Sequence, residues 1–105
     1  MDRAASVSIA AGSLVSGNID IQGSGEVSIT ESRINGNLRF AHNFGDLRAS
    51  RNDVRGNLQA LDNGGELRIS GNRIAGNLQC EGNRFQPTGR PNLVSGNKQG
   101  DCAPL

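Results

Sequence analysis

Three acidic residues recur at one position of a repeating unit, and they are the side chains of this chain best suited to chemistry. Glu26, Asp46 and Glu66 follow one another at intervals of 20 residues. Two positions after each of them stands a second polar residue, namely Ser28, Arg48 or Arg68. A row of carboxylates on one outer face could act in acid–base cleavage of a polysaccharide or could bridge calcium ions.

The same spacing has a simpler explanation that involves no chemistry. Equivalent residues of stacked repeats would lie about 5 Å apart in a solvated row, where diagonal pairing of acidic with basic neighbours contributes roughly 0.2 to 1 kcal/mol per pair. The Gly-Gly-x-Gly-x-Asp repeat of calcium-binding β-rolls is missing from the sequence. We therefore predict no catalytic residue, no cofactor and no metal. Five residues are retained only as candidates for ligand binding: Glu26, Asp46, Glu66, Arg48 and Arg68.

The two cysteines, Cys80 and Cys102, are 22 residues apart, which is one repeat plus two residues. In stacked repeats they would lie on adjacent rungs, within reach of a disulfide. Two independent buried thiols or half of a metal site are the alternatives. The single histidine, His42, lies two repeats away and no CxxC motif is present, which disfavours zinc. We favour the disulfide, and with it an oxidising compartment.

Composition limits the classes of partner. Eleven basic and ten acidic residues give a formal charge of +1, so no sequence-independent attraction to nucleic acid or to acidic membranes is expected. No apolar run reaches the length of about 18 residues that a membrane-spanning helix needs. The chain has three phenylalanines but no tryptophan or tyrosine, so its core must consist of small aliphatic side chains, and platforms for stacking sugars are few.

The elements that position these residues follow from an internal repeat. The pair Gly-Asn, preceded by Val or Ile two residues before the glycine, recurs with its glycines at positions 17, 36, 56, 76 and 96. A second pattern, in which Gly and an acidic residue precede alternating apolar residues, recurs at 25–30, 45–50 and 65–70. Both patterns have the same period of 20 residues, apart from one residue missing in the first repeat.

Each repeat reads as strand, turn, strand, turn, because short stretches alternate between apolar and polar residues. One predicted interior file consists of Ile19, Leu38, Leu58 and Leu78. The second strand is expected to point Val27/Ile29, Leu47/Ala49 and Leu67/Ile69 inward. So few apolar residues per repeat can be buried only if the repeats stack about 4.8 Å apart. The sequence therefore predicts an all-β fold, a single parallel β-helix (β-solenoid) of about five coils of about 20 residues.

Columns of asparagine support the stacking independently. One column consists of Asn18, Asn37, Asn57, Asn77 and Asn97; the others consist of Asn43, Asn63 and Asn83, and of Ser32, Asn52, Asn72 and Asn92. Asparagine tolerates left-handed backbone angles, and its amide can hydrogen-bond the same amide one rung away. We therefore expect these columns to make the turns and to satisfy the bent backbone.

Residues 1–105 are expected to form one domain with unequal ends. Residues 1–14 would be a partial first coil, with further coils or a partner upstream, and residues 15–82 would be the regular coils. The uncovered strand edge around Val7 and Ile9 favours pairing with a second copy as a homodimer. Residues 83–105 are predicted to cap the opposite end, because the loop 83–91 contains prolines and Lys98 and Gly100 take inward positions.

The C-terminal segment resembles a known group of proteins. It contains the series Gly76-Asn77-Leu78-Gln79-Cys80, Pro87-Thr88-Gly89 and Gly96-Asn97-Lys98, and then Cys102. This series is similar to the C-terminal repeat region of secreted bacterial β-helix proteins, a resemblance that implies export and a cysteine pair but no transferable activity. The chain departs from the pattern at Gln86, at Arg90-Pro91 and at Asp101.

Three functional classes fit these observations. We prefer a structural or display module of a secreted or cell-surface bacterial protein, with no enzymatic activity. The second class is a self-assembling polymer similar to bactofilins, which also consist of short apolar strands and glycine turns; the predicted C-terminal cap and the cysteines disfavour it. The third is a carbohydrate-binding or carbohydrate-cleaving β-helix, which only the acidic residues support.

Overall fold

The computed structural model describes residues 6–9, 11–89 and 92–102, and these residues form strands and turns without any helix. Every strand pair is parallel and joins residues that are 19 or 20 positions apart in the sequence. The chain therefore winds into stacked coils of about 20 residues, and the fold is the predicted all-β parallel solenoid of about five coils.

Three parallel sheets form the sides of the solenoid. The first sheet contains β1 (Ser6–Ile9), β4 (Glu26–Thr30), β7 (Leu47–Ser50) and β10 (Leu67–Ser70). The second contains β2 (Leu14–Val15), β5 (Arg33–Ile34), β8 (Asp53–Val54), β11 (Arg73–Ile74) and β13 (Leu93–Val94). The third contains β3 (Ile19–Gln22), β6 (Leu38–Ala41), β9 (Leu58–Leu61), β12 (Leu78–Glu81) and β14 (Lys98–Gly100).

The prediction of two strands per coil is wrong, because each complete coil has three. The missed strands are those of the second sheet, and each of them has only two residues. So short a strand offers one inward and one outward side chain, which gives no alternation for a sequence pattern to reveal. Its inward residue is the Val or Ile that precedes each Gly-Asn pair, and Ile34, Val54 and Ile74 are fully buried.

The core is a thin stack of aliphatic files. The predicted interior file is confirmed, since the sheet register aligns Ile19, Leu38, Leu58 and Leu78. The inward positions predicted for the first sheet are buried as well: Val27, Ile29, Leu47, Ala49, Leu67 and Ile69. Phe40 is the largest fully buried side chain. Because each coil contributes so few apolar residues, stability must come from contacts between coils.

The asparagines themselves do not make the left-handed turns expected of them. In the part of the chain that the structure describes, the non-glycine residues with positive φ are Glu31, His42, Arg51 and Asp62. Each of these stands immediately before a member of an asparagine column, at a position that glycine occupies in other coils. The residue before the asparagine therefore makes the bend, and the asparagine provides hydrogen bonds.

The first and last described coils keep the register of the coils between them. In the first coil, β1 lies beside β4 with Val7 next to Val27. In the last coil, β14 places Lys98 beside Leu78, and all three residues of β14 are exposed.

The loop predicted to act as a cap partly continues the first sheet. Thr88 forms a single parallel bridge to Arg68, and its backbone N–H donates to the carbonyl of Leu67 at 2.9 Å. Pro87 is buried. Arg90 and Pro91 of this loop lie outside the described residues, as do positions 1–5, 10 and 103–105.

Candidate functional site

The outer face of the first sheet carries the charged residues that the sequence indicates. Side chains alternate along a strand, so the residues between the buried apolar positions point outward. Glu26, Asp46 and Glu66 form an acidic column at the start of three successive coils. Two positions further on, Arg48 and Arg68 lie side by side in the sheet register and form a basic column. All five of these side chains are exposed.

The two columns line one groove, with a volume of about 580 Å³. Its further polar lining comes from Ser8, Ser28 and Thr88, which continue the basic column towards both ends of the solenoid. The structure thus brings every predicted binding candidate into one open groove. Carboxylates, guanidinium groups and hydroxyls in this arrangement can hydrogen-bond or ion-pair with a polar partner that lies along the coils.

The diagonal ion pairs expected between the two columns are not present. Across the described residues, the ion pairs within 4.0 Å join Arg33 to Asp53, Arg39 to Asp20 and Arg51 to Glu31, all away from this groove. Within the groove, the Asp46 carboxylate instead accepts a hydrogen bond from the backbone N–H of Glu66, at 3.2 Å. The absence of these ion pairs changes the stability little, since each exposed pair contributes roughly 0 to 1 kcal/mol.

The described residues contain no group of three or more His, Cys, Asp or Glu side chains arranged to hold a metal ion. His42 is exposed at a corner with φ of 55°.

Two of the asparagine columns are largely buried and form hydrogen-bonded ladders, which we call the buried ladders: Asn43, Asn63 and Asn83, and Ser32, Asn52, Asn72 and Asn92. Asn52 shows the pattern. Its backbone N–H and its Nδ2 both donate to Oδ1 of Asn72 in the next coil, at 2.9 and 3.1 Å. The same Nδ2 also donates to the carbonyl of Ile29 in the preceding coil, at 2.9 Å. One amide thus links three coils.

The remaining column, which we call the exposed column, is built differently and consists of Asn18, Asn37, Asn57, Asn77 and Asn97. Here the side-chain oxygen accepts from the backbone N–H of the next asparagine: Asn57 donates to Asn37 at 2.8 Å, and Asn77 to Asn57 at 2.7 Å. The predicted contact between side-chain amides is therefore replaced by a contact from side chain to backbone. From Asn18 to Asn77, each amide in this column links two coils.

The glycine of each Gly-Asn pair makes room for the exposed column. A Cβ on Gly56 would lie 2.9 Å from the carbonyl oxygen of Gly36 and closer still to Oδ1 of Asn37. The glycines at 36, 76 and 96 meet the equivalent atoms of the coil before them. The Gly-Asn pair is thus a packing unit, in which the glycine of one coil accommodates the asparagine of the preceding coil.

The predicted cysteine pair is confirmed. Cys80 and Cys102 are bonded to each other, with their Cα atoms 5.2 Å apart, and both are fully buried. The backbone N–H of Asp101 donates to the carbonyl of Cys80 at 2.7 Å, which fixes the turn that leads to Cys102. The bond ties the last coil to the one before it.

The outer face of the second sheet is not apparent from the sequence pattern. Its residues Leu14, Arg33, Asp53, Arg73 and Leu93 form one outward column. Leu14 and Leu93 are 65% and 62% exposed, so this column is apolar at both ends and charged in the middle. Because its strands have only two residues each, no alternation in the sequence assigns these side chains to a common face.

These features define a parallel β-solenoid with a charged groove on one side and hydrogen-bonded asparagine columns at its corners. Within the described residues there is no helix of the length and hydropathy needed to cross a membrane. No protein-family model, curated protein or solved structure matches the chain.

Proposed function

We propose that this chain is a rigid structural or display module of a secreted or cell-surface bacterial protein and that it has no catalytic activity. The observation that carries the proposal is the network of side-chain hydrogen bonds that runs from coil to coil at the corners. Among the described residues, every buried side-chain nitrogen and oxygen has a hydrogen-bond partner. Full satisfaction of buried polar groups favours a stiff, uniquely folded rod.

The bond between Cys80 and Cys102 supports both parts of the proposal. It closes a loop of 22 residues, which stabilises the folded state by about 3 kcal/mol on the chain-entropy estimate. Disulfides persist mainly in oxidising compartments, which agrees with export. The bond also ties two neighbouring coils to each other covalently.

Limited proteolysis with a protease of broad specificity tests the module. We expect the oxidised protein to be cleaved about 100-fold more slowly than the double variant Cys80→Ser/Cys102→Ser, if cleavage follows opening of the fold. The wild-type protein treated with a reductant is the matched control and should behave like the variant. Cleavage of the oxidised protein as fast as that of an unfolded chain would contradict a structural role.

A second candidate function is carbohydrate binding, favoured by the groove that all five charged candidates line. Calorimetric titration with neutral and acidic oligosaccharides, compared between the wild type and Arg48→Ala/Arg68→Ala, tests it. Heat of binding that disappears in the variant would favour this function over the structural one. Release of new reducing ends from the same sugars would further indicate a cleaving enzyme, and filaments in electron micrographs would favour the self-assembling polymer.

A further inference from the structure

The acidic and basic columns of the first sheet lie next to each other without pairing. Within the described ranges, no carboxylate oxygen of Glu26, Asp46 or Glu66 is within 4.0 Å of a nitrogen of Arg48 or Arg68. Arg48 and Arg68 also face each other directly across neighbouring strands, and like charges in that position repel. A partner with the opposite pattern would relieve the repulsion within both columns.

We propose that this face is a homodimer interface in which two copies of the chain pack with their first sheets together. One particular symmetry places the acidic column of each copy opposite the basic column of the other copy. A two-fold axis parallel to the stacking direction, lying between the two faces, exchanges the columns and leaves every coil at its own level. Asp46 then faces Arg48 of the second copy, and Glu66 faces Arg68 of the second copy. An axis across the coils would instead oppose acid with acid.

The dimer uses a different surface from the one that the sequence indicates. Pairing through the N-terminal edge around Val7 and Ile9 would extend the sheets end to end and would leave the charged groove open. Packing through the first sheet places the two solenoids side by side with their coils parallel. The formal charge of +1 gives no strong overall repulsion between copies, so the local charge pattern decides their orientation.

The size of the face makes the dimer weak. In the described residues the face consists of four strands about 4.8 Å apart. The area that these strands present is smaller than the roughly 800 Å² per partner of a standard interface. The contacts are mainly exposed charges, which salt screens with a Debye length of about 10 Å at 0.1 M. The dimer is therefore expected at high protein concentration and low ionic strength, and its dissociation constant should rise about tenfold or more between 0.05 and 0.5 M NaCl.

Charge exchange tests the proposal directly. In the variant Arg48→Glu/Arg68→Glu every charged residue of the two columns is acidic, and in Asp46→Lys/Glu66→Lys every charged residue except Glu26 is basic. By analytical ultracentrifugation, we expect each variant alone to be at least about tenfold weaker as a dimer than the wild type. We expect an equimolar mixture of the two to form a heterodimer at least as stable as the wild-type homodimer. The circular dichroism of each variant verifies that it is folded.

A matched control places the same charge change on another face. Arg55→Glu/Arg73→Glu replaces two exposed arginines, one on the second sheet and one at the corner that follows it, and should dimerise like the wild type.

Equal dimerisation of the wild type and both first-sheet variants would overturn the proposal and would indicate the N-terminal edge. A wild type that stays monomeric at low salt, together with a mixture that forms no heterodimer, would overturn it as well. Should a charge-reversed variant fail to fold, the neutral variant Arg48→Gln/Arg68→Gln replaces it, with dimer loss again required.

Discussion

At two corners of the solenoid the asparagine side chains are largely buried and link three coils, whereas at the third corner they are more exposed and link two. The difference lies in the use of the amide. Asn52 in a buried ladder donates from Nδ2 to both neighbouring coils, while Asn57 in the exposed column uses Oδ1 as an acceptor for the next coil. Asparagines at the same spacing therefore contribute differently to stability in the two kinds of column, because losing a hydrogen bond costs far more where the partner left unpaired is buried.

The hydrogen bonds from backbone N–H to side chain also run in opposite directions along the stack in the two kinds of column. In the buried ladders, a backbone N–H donates to the side chain of the following coil, as from Asn52 to Asn72. In the exposed column it donates to the preceding coil, as from Asn57 to Asn37. Each coil is thus held to both neighbours by side chains that do not compete for the same groups.

The largest expected effect is at the centre of a buried ladder. Asn72→Ala would remove the acceptor that the N–H and Nδ2 of Asn52 share, and it would remove the Nδ2 that donates to the carbonyl of Ala49. We expect a loss of about 3 kcal/mol or more in the free energy of unfolding, measured by urea denaturation. Asn72→Asp should not restore stability, because it lacks the Nδ2 donor and buries a charge. A loss no larger than that of Asn57→Ala would remove the distinction between the columns.

The next effect concerns the glycine that the exposed column requires. Gly56→Ala would force a Cβ against Oδ1 of Asn37 and the carbonyl of Gly36, and we expect a loss of about 2 kcal/mol in stability. Gly64→Ala is a matched control, since a Cβ there would lie 3.7 Å or more from its neighbours.

A double-variant cycle with Asn37→Ala sharpens the glycine prediction. Removing the Asn37 side chain also removes part of the clash, so the two substitutions together should cost less than the sum of their separate effects. Additive losses would mean that Gly56 is needed for the backbone contact alone.

The sequence predicts the coil length, the interior files and the cysteine pair, because each of these repeats or can be read from a fixed period. It does not reveal the second sheet, whose two-residue strands hide the column from Leu14 to Leu93. Consequently the ion pair between Arg33 and Asp53 could not be foreseen either. Repetition reveals which residues are equivalent, but it does not reveal how many times the chain bends within a repeat.

For the candidate groove, the sequence predicts which residues line it but not which contacts they make. The five charged residues share two columns because the period places them there. Whether Asp46 pairs with an arginine or accepts the N–H of Glu66 depends on side-chain rotamers, which the sequence pattern does not determine. The direction of each asparagine amide is undetermined for the same reason, since a column of identical residues can be bonded towards either end.

A smaller effect is expected within the exposed column. Asn57→Ala removes the acceptor of the backbone N–H of Asn77, which lies 2.7 Å away and is only half-buried. Because water can replace this acceptor in part, we expect a loss of about 1 kcal/mol by the same denaturation measurement. Asn57→Asp keeps the acceptor oxygen and should recover most of the loss. If the aspartate variant is as unstable as the alanine variant, the Nδ2 group contributes more here than the structure indicates.

The smallest effect separates the bend from the hydrogen bonds at one corner of a buried ladder. His42 has φ of 55°, and its counterparts in two other coils are Gly23 and Gly82, with φ of 64° and 67°. A left-handed conformation costs a non-glycine residue about 1 to 2 kcal/mol, and glycine avoids this cost. Part of the gain is lost, because glycine has a greater conformational entropy in the unfolded chain.

His42→Gly is therefore expected to raise the free energy of unfolding by about 0.5 kcal/mol, as measured by urea denaturation. The same substitution one residue later, Asn43→Gly, serves as the control. It should destabilise the protein, because Asn43 donates from Nδ2 to Asn63 and to the carbonyl of Ile21. Stabilisation at both positions would show that the asparagine makes the bend after all, and destabilisation at both would show that the His42 side chain contributes contacts that outweigh its backbone strain.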